Sequence, residues 1–480
     1  MKAHKKLVNT PLSSVMLAGM ITLGMTLGAT PAMAGTSAAL LKRLHEKGIL
    51  SDEEYEQLVH EDEAENAPPT PATAVETPAS APPAQVADSE RFVRRTASGV
   101  GLEVGDVTLK FSGSVNGFYV HDNPQAPNAT SSVAGGVVNV GGNTSAVRNG
   151  LLPGFLKIEA TTQQGGWDVG AHFGMYPGIN SAAWGALGAN NGGQPTGLAT
   201  SGIDFRQTYL TVGRAGYGEL KIGRDIGLFG SDAILNDITL LSPGSPGGNV
   251  APANTTLGRI GVGYIYTDFQ PQITYTTPDF KGFKVAGGVF QPLHSLTGPA
   301  ETNSEPGFQA KITYDTKVGP VGAHLWVSGI TQKHDTVTSS LSYTGKGIDF
   351  GAKLNSGPVT VVGYYYTASG LGTTALNLFD SDGLGNARDS QGFYAQATAT
   401  FGKFTLGGSY GESRLSYANA LDASANPTLV KVNSSWVGQV RYGLTSWVTL
   451  IGEYVSTKAV AHNGNRAKSD TLAIGGILFF

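Results

Sequence analysis

Residues 308–315 read Phe-Gln-Ala-Lys-Ile-Thr-Tyr-Asp: Phe308, Ala310, Ile312 and Tyr314 share one face, Gln309, Lys311, Thr313 and Asp315 the other. A period of two places successive side chains on opposite sides of a strand, here one apolar and one polar. The pattern recurs along the chain. Ile348, Phe350, Ala352 and Leu354 alternate with Asp349, Gly351, Lys353 and Asn355, and Phe404, Leu406, Gly408 and Tyr410 with Lys403, Thr405, Gly407 and Ser409. The last stretch sets Leu472, Ile474, Gly476, Leu478 and Phe480 on one face. Each stretch runs about ten residues, the length a tilted strand needs to cross a bilayer. A soluble β-sandwich also alternates, so the connections must decide.

Short and long connections take turns. The short ones fall at 163–166, 215–216, 279–282, 317–320, 355–358, 402 and 443–445. The long ones run near 123–148, 177–202, 226–257, 291–307, 333–345, 369–388, 415–431 and 459–466. Strands counted between these breaks from Val107 to Phe480 number sixteen, with every long loop at one end. Short periplasmic turns and long outer loops mark an outer-membrane barrel, and closure leaves no strand edge unpaired in lipid. A sandwich has no reason to segregate its loops by length. Aromatic residues gather beside the short turns (Phe280 and Phe283, Phe401 and Phe404, Tyr442 and Trp447), as a membrane-interface girdle does. The expected fold is all-β: a sixteen-stranded antiparallel transmembrane β-barrel over residues 89–480, with a short helical extension before it.

Composition agrees. Among 480 residues there are 67 glycines, no cysteine and 14% charged side chains, which suits neither a disordered chain nor an ordinary helical enzyme. After the first thirty residues no apolar run reaches the roughly 18 residues of a membrane helix. Those first residues read as a secretory signal peptide over 1–34. Lys2, His4, Lys5 and Lys6 precede an apolar run from Leu12 to Ala29, and Ala32-Met33-Ala34 sets cleavage between Ala34 and Gly35.

Residues 35–88 carry three basic residues against eleven acidic ones, a net of −8, while 89–480 carry 26 against 25. No basic stripe of the kind nucleic acid requires is present. Within the acidic piece, 35–66 reads as a short helical hairpin: Leu40, Leu41 and Leu44 form one stripe. Ser51 with Glu54 forms a capping box that opens a second helix bearing Tyr55, Leu58 and Val59. So short a hairpin cannot bury a core by itself and is expected to self-associate or dock. Residues 67–88 form a Pro/Ala-rich spacer.

A barrel of sixteen strands is too wide for its own side chains to fill, so a water-filled pore for hydrophilic solutes follows from geometry. Positions read as interior fit water: Lys157, Glu159, Asp168, His172, Gln396, Thr398, Gln439, Arg441 and Glu453. No cofactor is expected. The nine histidines are scattered, with none in an H-E-x-x-H motif and no G-x-S-x-G for a nucleophile, and a metal site among His121, His294, His334 and His462 is thinly founded. The rival of another class is an adhesin or structural anchor, which would pass no ions.

Gln272–Phe283, reading QITYTTPDFKGF, and the terminal Phe480 after alternating apolar residues resemble the trimeric Gram-negative outer-membrane porin family over most of the barrel. The resemblance implies a homotrimer in the outer membrane, in contact with its lipid, passing small hydrophilic solutes and ions. It also implies that Ile474, Leu478 and Phe480 form the signal read by the barrel-assembly machinery. The acidic hairpin and spacer resemble the periplasmic extensions of DcaP-like and phosphate-selective porins, which leaves an anion- or carboxylate-selective channel as the alternative to general diffusion. Small residues Gly117, Gly287, Ala395, Ala397 and Ala399 on the apolar face would admit close subunit contact.

In such porins the third long loop narrows the channel. Here that segment starts at Asp225 and contains SDAILNDITLL, with Ser231 a candidate N-cap and Ile234, Leu235, Ile238 and Leu241 at helical spacing. Folding inward would bury that stripe. Asp225, Asp232 and Asp237 would then face wall residues Arg206, Lys221, Arg224 and Arg259 across a charged constriction. The alternative is that the acids cap the loop helix and sit away from the lumen. Strand faces near Arg206 and Arg224 stay open, because one bulge flips every later side chain.

Overall fold

The computed structural model describes residues 93–180, 203–246, 255–337 and 341–480. The expected signal peptide with its Ala34–Gly35 cleavage, the acidic hairpin and the spacer lie outside the described residues. The strands begin with β1 (Val93–Arg95), β2 (Val100–Val104), β3 (Val107–Pro124), β4 (Thr144–Arg148), β5 (Phe155–Gln164), β6 (Trp167–Pro177), β7 (Ile203–Arg214) and β8 (Gly218–Ile226). They continue with β9 (Phe269–Thr276), β10 (Phe283–Phe290), β11 (Gly307–Val318), β12 (Val321–Asp335), β13 (Ser342–Ser356) and β14 (Val359–Ser369). Last come β15 (Asp389–Phe401), β16 (Phe404–Leu415), β17 (Val430–Gly443), β18 (Val448–Ala461) and β19 (Arg466–Phe479).

From β5 to β19 each strand pairs antiparallel with the next. The wall closes where β19 pairs with β3, Leu478 opposite Val115 and Leu472 opposite His121. Phe480 extends that seam by exchanging two backbone hydrogen bonds with Gly113, each 3.1 Å. Two pieces, β4 and β5, lie along the same side of β3, so they form one wall strand interrupted at 149–154. The short β1–β2 hairpin is added at the base of β3. Counted this way the wall has sixteen strands, as the loop pattern requires.

Loop lengths segregate as expected: β5–β6, β11–β12, β13–β14 and β15–β16 turn within two residues at one end, and the long links lie at the other. The turn 279–282 shows why its sequence is what it is. Asp279 Oδ1 accepts the Gly282 N–H at 2.7 Å, and Gly282 has φ +94° with the Asp315 carbonyl where a Cβ would stand. Apolar side chains of the alternating stretches, among them Ile312, Ile348, Phe350, Leu472 and Ile474, are exposed on the outside of the wall. Exposed Phe280, Phe283, Phe401, Phe404 and Trp447 ring the short-turn end. The principal buried cluster lies on the other side, where Trp326, Tyr364, Tyr366 and Tyr394 meet Phe229, Ile234, Val262 and Tyr264. Its centre is therefore the contact between wall and long connection, and the β8–β9 connection supplies eight of its eighteen buried residues.

Candidate functional site

The connection between β8 and β9 departs from the expected helix in an instructive way. Helix α1 spans Ser231–Leu235, but its N-cap is Gly230 in the left-handed conformation. Ser231 is the first helical residue, and its Oγ donates back to the Leu228 carbonyl at 2.8 Å. The helix does not run on to Leu241. Asn236 closes it, and a separate 3-10 helix over Ile238–Leu241 follows, N-capped by Asp237. The change of phase splits the apolar stripe: Ile234 and Ile238 are buried, while Leu235 is 54% exposed.

An irregular segment leaves backbone groups without ladder partners, and these must be satisfied elsewhere. Here polar side chains of the wall do it. Gln309 on β11 accepts the Leu228 and Phe229 N–H groups at 2.8 and 3.0 Å. Asp349 on β13 accepts the Gly230 N–H at 2.8 Å and is braced by Ser328 Oγ at 2.6 Å. Gln396 on β15 accepts from Ile238 N at 2.8 Å and donates to the Asn236 carbonyl at 2.6 Å. Glu453 on β18 accepts from Ser242 Oγ (2.5 Å) and Gly244 N (2.6 Å), and Arg441 on β17 donates to the Ile238 carbonyl (2.6 Å). Each of these side chains alternates with outward apolar neighbours, so the segment lies on the polar face of β11–β18. Two glycines on β16 make the room. A methyl at Gly407 would stand 2.5 Å from Ile238 Cδ1, and one at Gly411 would stand 2.1 Å from Arg259 Nη2.

The seven charged residues expected at a constriction separate into three groups. Asp232 and Asp237 belong to the segment but differ in role. Asp232 pairs with Lys311 Nζ (2.8 Å) and His324 Nε2 (3.2 Å) on the wall. Burial pushes its carboxyl up, but those partners prevail and hold it below the usual carboxylate range. Asp237 instead accepts from Thr239 N, Thr239 Oγ1 and Tyr264 Oη, all within 2.9 Å, and complete burial raises its pKa. It is a helix cap, as the alternative reading had it. Arg259 is not a wall residue: it sits in the same segment, fully buried, over Tyr394, with Nη2 donating to the Val262 carbonyl at 3.3 Å.

The second group lines β7 and β8. Lys221 and Asp225 form an ion pair on the polar face, and Gln207 Nε2 donates to Asp225 Oδ1 at 2.7 Å. Arg206 joins Asp204 at 3.2 Å and lies over the rings of Tyr176 and Phe269. It occupies a β-bulge: Gly174 pairs with Gln207 and Met175 with Phe205, so Arg206 is the extra residue. The bulge lets Arg206 and Gln207 both avoid the apolar face held by Phe205 and Leu210. Arg224 makes the third group alone. It shares parity with exposed Leu220 and Ile222, opposite to Lys221 and Asp225, and its Nη1 donates to the Phe269 carbonyl at 2.5 Å.

Beside Lys221 the polar face of β5 and β6 adds groups that the first reading did not place at a constriction. Glu159 Oε1 meets His172 Nδ1 at 3.1 Å, and the other ring nitrogen reaches Thr211 Oγ1 at 3.1 Å. Lys157 lies over Phe155, with no carboxylate at ion-pair distance among the described residues. These side chains keep part of their surface accessible. Among the described residues no group of three His, Asp or Glu could hold a metal ion. His334, near the end of β12, is buried against Glu301 at 3.0 Å and stacked on Tyr343.

A closed wall of sixteen strands, apolar outside and lined with charged and polar groups inside, defines an outer-membrane barrel of the channel type. The profile of the Gram-negative porin family matches residues 72–462, and the chain belongs to that family. In fold it is similar to the outer membrane channel DcaP of Acinetobacter baumannii, at 16% identity and a TM-score of 0.59, over 81% of this chain and 99% of that one. OmpF of Salmonella typhi, in complex with daunomycin, aligns at 12% identity and a TM-score of 0.48, over 78% of this chain and 98% of that one. No curated protein matches the chain in sequence. The protein is a Gram-negative outer-membrane porin.

Proposed function

We propose that the pore is a general diffusion channel for small hydrophilic solutes and ions, narrowed where residues 227–246 and 255–268 pack inside the wall. The observation that carries this reading is the division of the polar face. On β11–β18 it is spent on hydrogen bonds to the β8–β9 connection, while on β5–β8 charged groups keep accessible surface. Solute and ions would therefore pass between the segment and β5–β8, past Lys157, the Glu159–His172 pair, Arg206 with Asp204, and Lys221 with Asp225. Arg206 with Asp204 and Lys221 with Asp225 are pairs of opposite charge, so strong ion selection is not expected from them. Lys157, without an acidic partner, favours a weak anion preference and keeps the anion-selective channel as a second reading.

Three further features complete the proposal. The porin family and the barrel favour a homotrimer. Gly117, Gly287, Ala395, Ala397 and Ala399 all face outward, but on β3, β10 and β15, so they offer three separate smooth patches. The terminal strand with Ile474, Leu478 and Phe480 would be presented to the barrel-assembly machinery, and residues 35–88 would lie in the periplasm.

Single-channel recording of the refolded protein in a planar bilayer tests the reading, with the reversal potential taken in a potassium chloride gradient. The expected result is conductance steps in threes with a weak ion preference. Strong anion preference blocked by phosphate or a dicarboxylate would select the second reading. A folded barrel without conductance would overturn both and leave an anchor or adhesin.

A further inference from the structure

The outer surface of the wall is apolar over most of its height, but one arc changes character towards the long-loop end. There β13 to β17 form an open cleft of about 770 Å3, lined by Lys346, Ser369, Asp389, Gln391, Arg414 and Lys431 among others. The pairing explains the shape. Lys346 is opposite Ser369, Ser369 opposite Asp389, and Gln391 opposite Arg414, all on the outward parity of their strands. Small polar side chains in the middle strands leave a hollow, and cations stand at both sides. With strands about 4.8 Å apart, Lys346 and Arg414 bracket roughly 14 Å. Lys431 is the extra residue of a bulge between Val430 and Val432, which turns it out beside Arg414.

The charge in this cleft is not internally matched. Neither Lys346 nor Lys431 has a carboxylate at ion-pair distance among the described residues; Arg414 uses its Nε on Glu412, leaving its terminal nitrogens. Asp389 is the one carboxylate lining the cleft. Immediately towards the short-turn end, the same strands present Ile348, Phe350, Val361 and Phe393, all exposed. At a similar remove from the short turns, the outward positions on β7 and β11 are Phe205 and Phe308, 59% and 50% exposed. Exposed cations above apolar residues occur also on β18 and β19, where Lys458 opposes Lys468, but there Lys468 is paired with Asp470.

We propose that this cleft seats the phosphate-bearing headgroup of an outer-leaflet lipid, its acyl chains running down the belt of Ile348, Phe350, Val361 and Phe393. Phosphate is the group that three converging cations at a lipid boundary recognise, with Arg414 able to bind two of its oxygens and the lysines acting as point charges. Asp389 and Gln391 supply acceptors for hydroxyls of the same headgroup. The occupant is a lipid rather than a second chain because the site joins cationic and apolar surface in the order a headgroup and its chains require.

The test uses the full-length barrel, delipidated in detergent and titrated with lipopolysaccharide in mixed micelles, with bound lipid counted by native mass spectrometry. Wild type is expected to bind at least tenfold more tightly than the Lys346→Ala/Arg414→Ala/Lys431→Ala variant, with single-channel conductance equal in the two. Dephosphorylated lipopolysaccharide should bind as poorly to wild type as the intact lipid binds to the variant. Asp389→Asn, which removes the one acid and keeps the shape, should bind several-fold more tightly, and it stands as an independent arm if the triple variant does not fold. Equal affinity for the dephosphorylated lipid, or for the triple variant, would overturn the assignment. So would loss of self-association by that variant with lipid binding retained, which would make the cleft a contact between copies.

Discussion

The two arcs of the inner wall carry the same kind of sequence and end in different states. On β13–β18, Asp349, Gln396, Gln439 and Glu453 are buried. On β5–β8, Lys157, Glu159, His172 and Lys221 keep accessible surface. Both sets are polar residues in alternation with outward apolar ones, so period-two patterning treats them alike. What separates them is the partner. The first set meets unpaired backbone groups of the β8–β9 connection, and a buried carboxylate or amide is stable only with such partners. The second set meets its own neighbours, in short pairs across strands such as Glu159 with His172 and along one strand such as Lys221 with Asp225. Alternation thus tells which side of the wall a residue faces, and the loop it faces tells whether that side stays wet.

The largest effect should come from breaking the buried arc. Asp349→Ala leaves the Gly230 N–H, the Ser328 hydroxyl and the Tyr364 hydroxyl without their acceptor. Each such orphan costs about 1–3 kcal/mol, so amide exchange over 228–235 should accelerate by about a hundredfold, with open-channel current becoming noisy. Lys157→Ala on the other arc should change the same exchange less than threefold. Equal acceleration by both would erase the distinction between the arcs.

A smaller effect sharpens the accessible arc. Lys221→Glu reverses a charge on the polar face, and a two-unit change at roughly 8 Å in water moves a cation and an anion by about 1 kcal/mol each in opposite directions, about thirtyfold in the cation-to-anion permeability ratio. The reversal potential in a salt gradient should move towards cations accordingly. Arg224→Glu, the same charge reversal three residues along β8 but on the outward parity, should leave the reversal potential unchanged. A shift from Arg224→Glu as large as that from Lys221→Glu would mean that the assigned faces of β8 are wrong.

The strand count, the segregation of loops and the outward apolar face were legible because each is a local pattern repeated many times. The face of Arg224 stayed open in the sequence; the structure gives it the outward parity of Leu220 and Ile222 and so takes it from the expected constriction. Three further features were not legible. The bulge at Arg206 adds a residue without a glycine or proline to mark it. The use of Gly230 in place of Ser231 as N-cap depends on Asp349, far along the chain, accepting its N–H. The burial of Arg259 depends on the absent side chain of Gly411. A usable signal existed in that last case: β16 carries Gly407 and Gly411 on its polar parity, and inward glycines in a wide barrel announce a close neighbour.

The smallest expected effect concerns the loops at the end of the buried arc. Arg388, just before β15, makes two hydrogen bonds of 2.7 and 2.6 Å to Asp422, which lies in the short helix α2 (Ala420–Ala425) between β16 and β17. Burial opposes ionisation of Asp422, but the Arg388 hydrogen bonds outweigh it and set its pKa down at about 2, against an ordinary 3.8. A depressed carboxylate stabilises the folded loop fully above the ordinary value and loses that contribution as pH falls through about 2. Asp422→Asn keeps the shape and removes the charge, at a cost of about 1 kcal/mol. Amide exchange over 416–429, taken as the ratio of variant to wild type so that intrinsic rates cancel, should be about fivefold at pH 6. As the wild-type Asp422 carboxyl takes up a proton between pH 4 and pH 2 and becomes neutral like the amide that replaces it, the ratio should fall towards one. A ratio that stays constant to pH 2 would show that the pair does not hold the loop, and the buried arc would then owe its order to the β8–β9 connection alone.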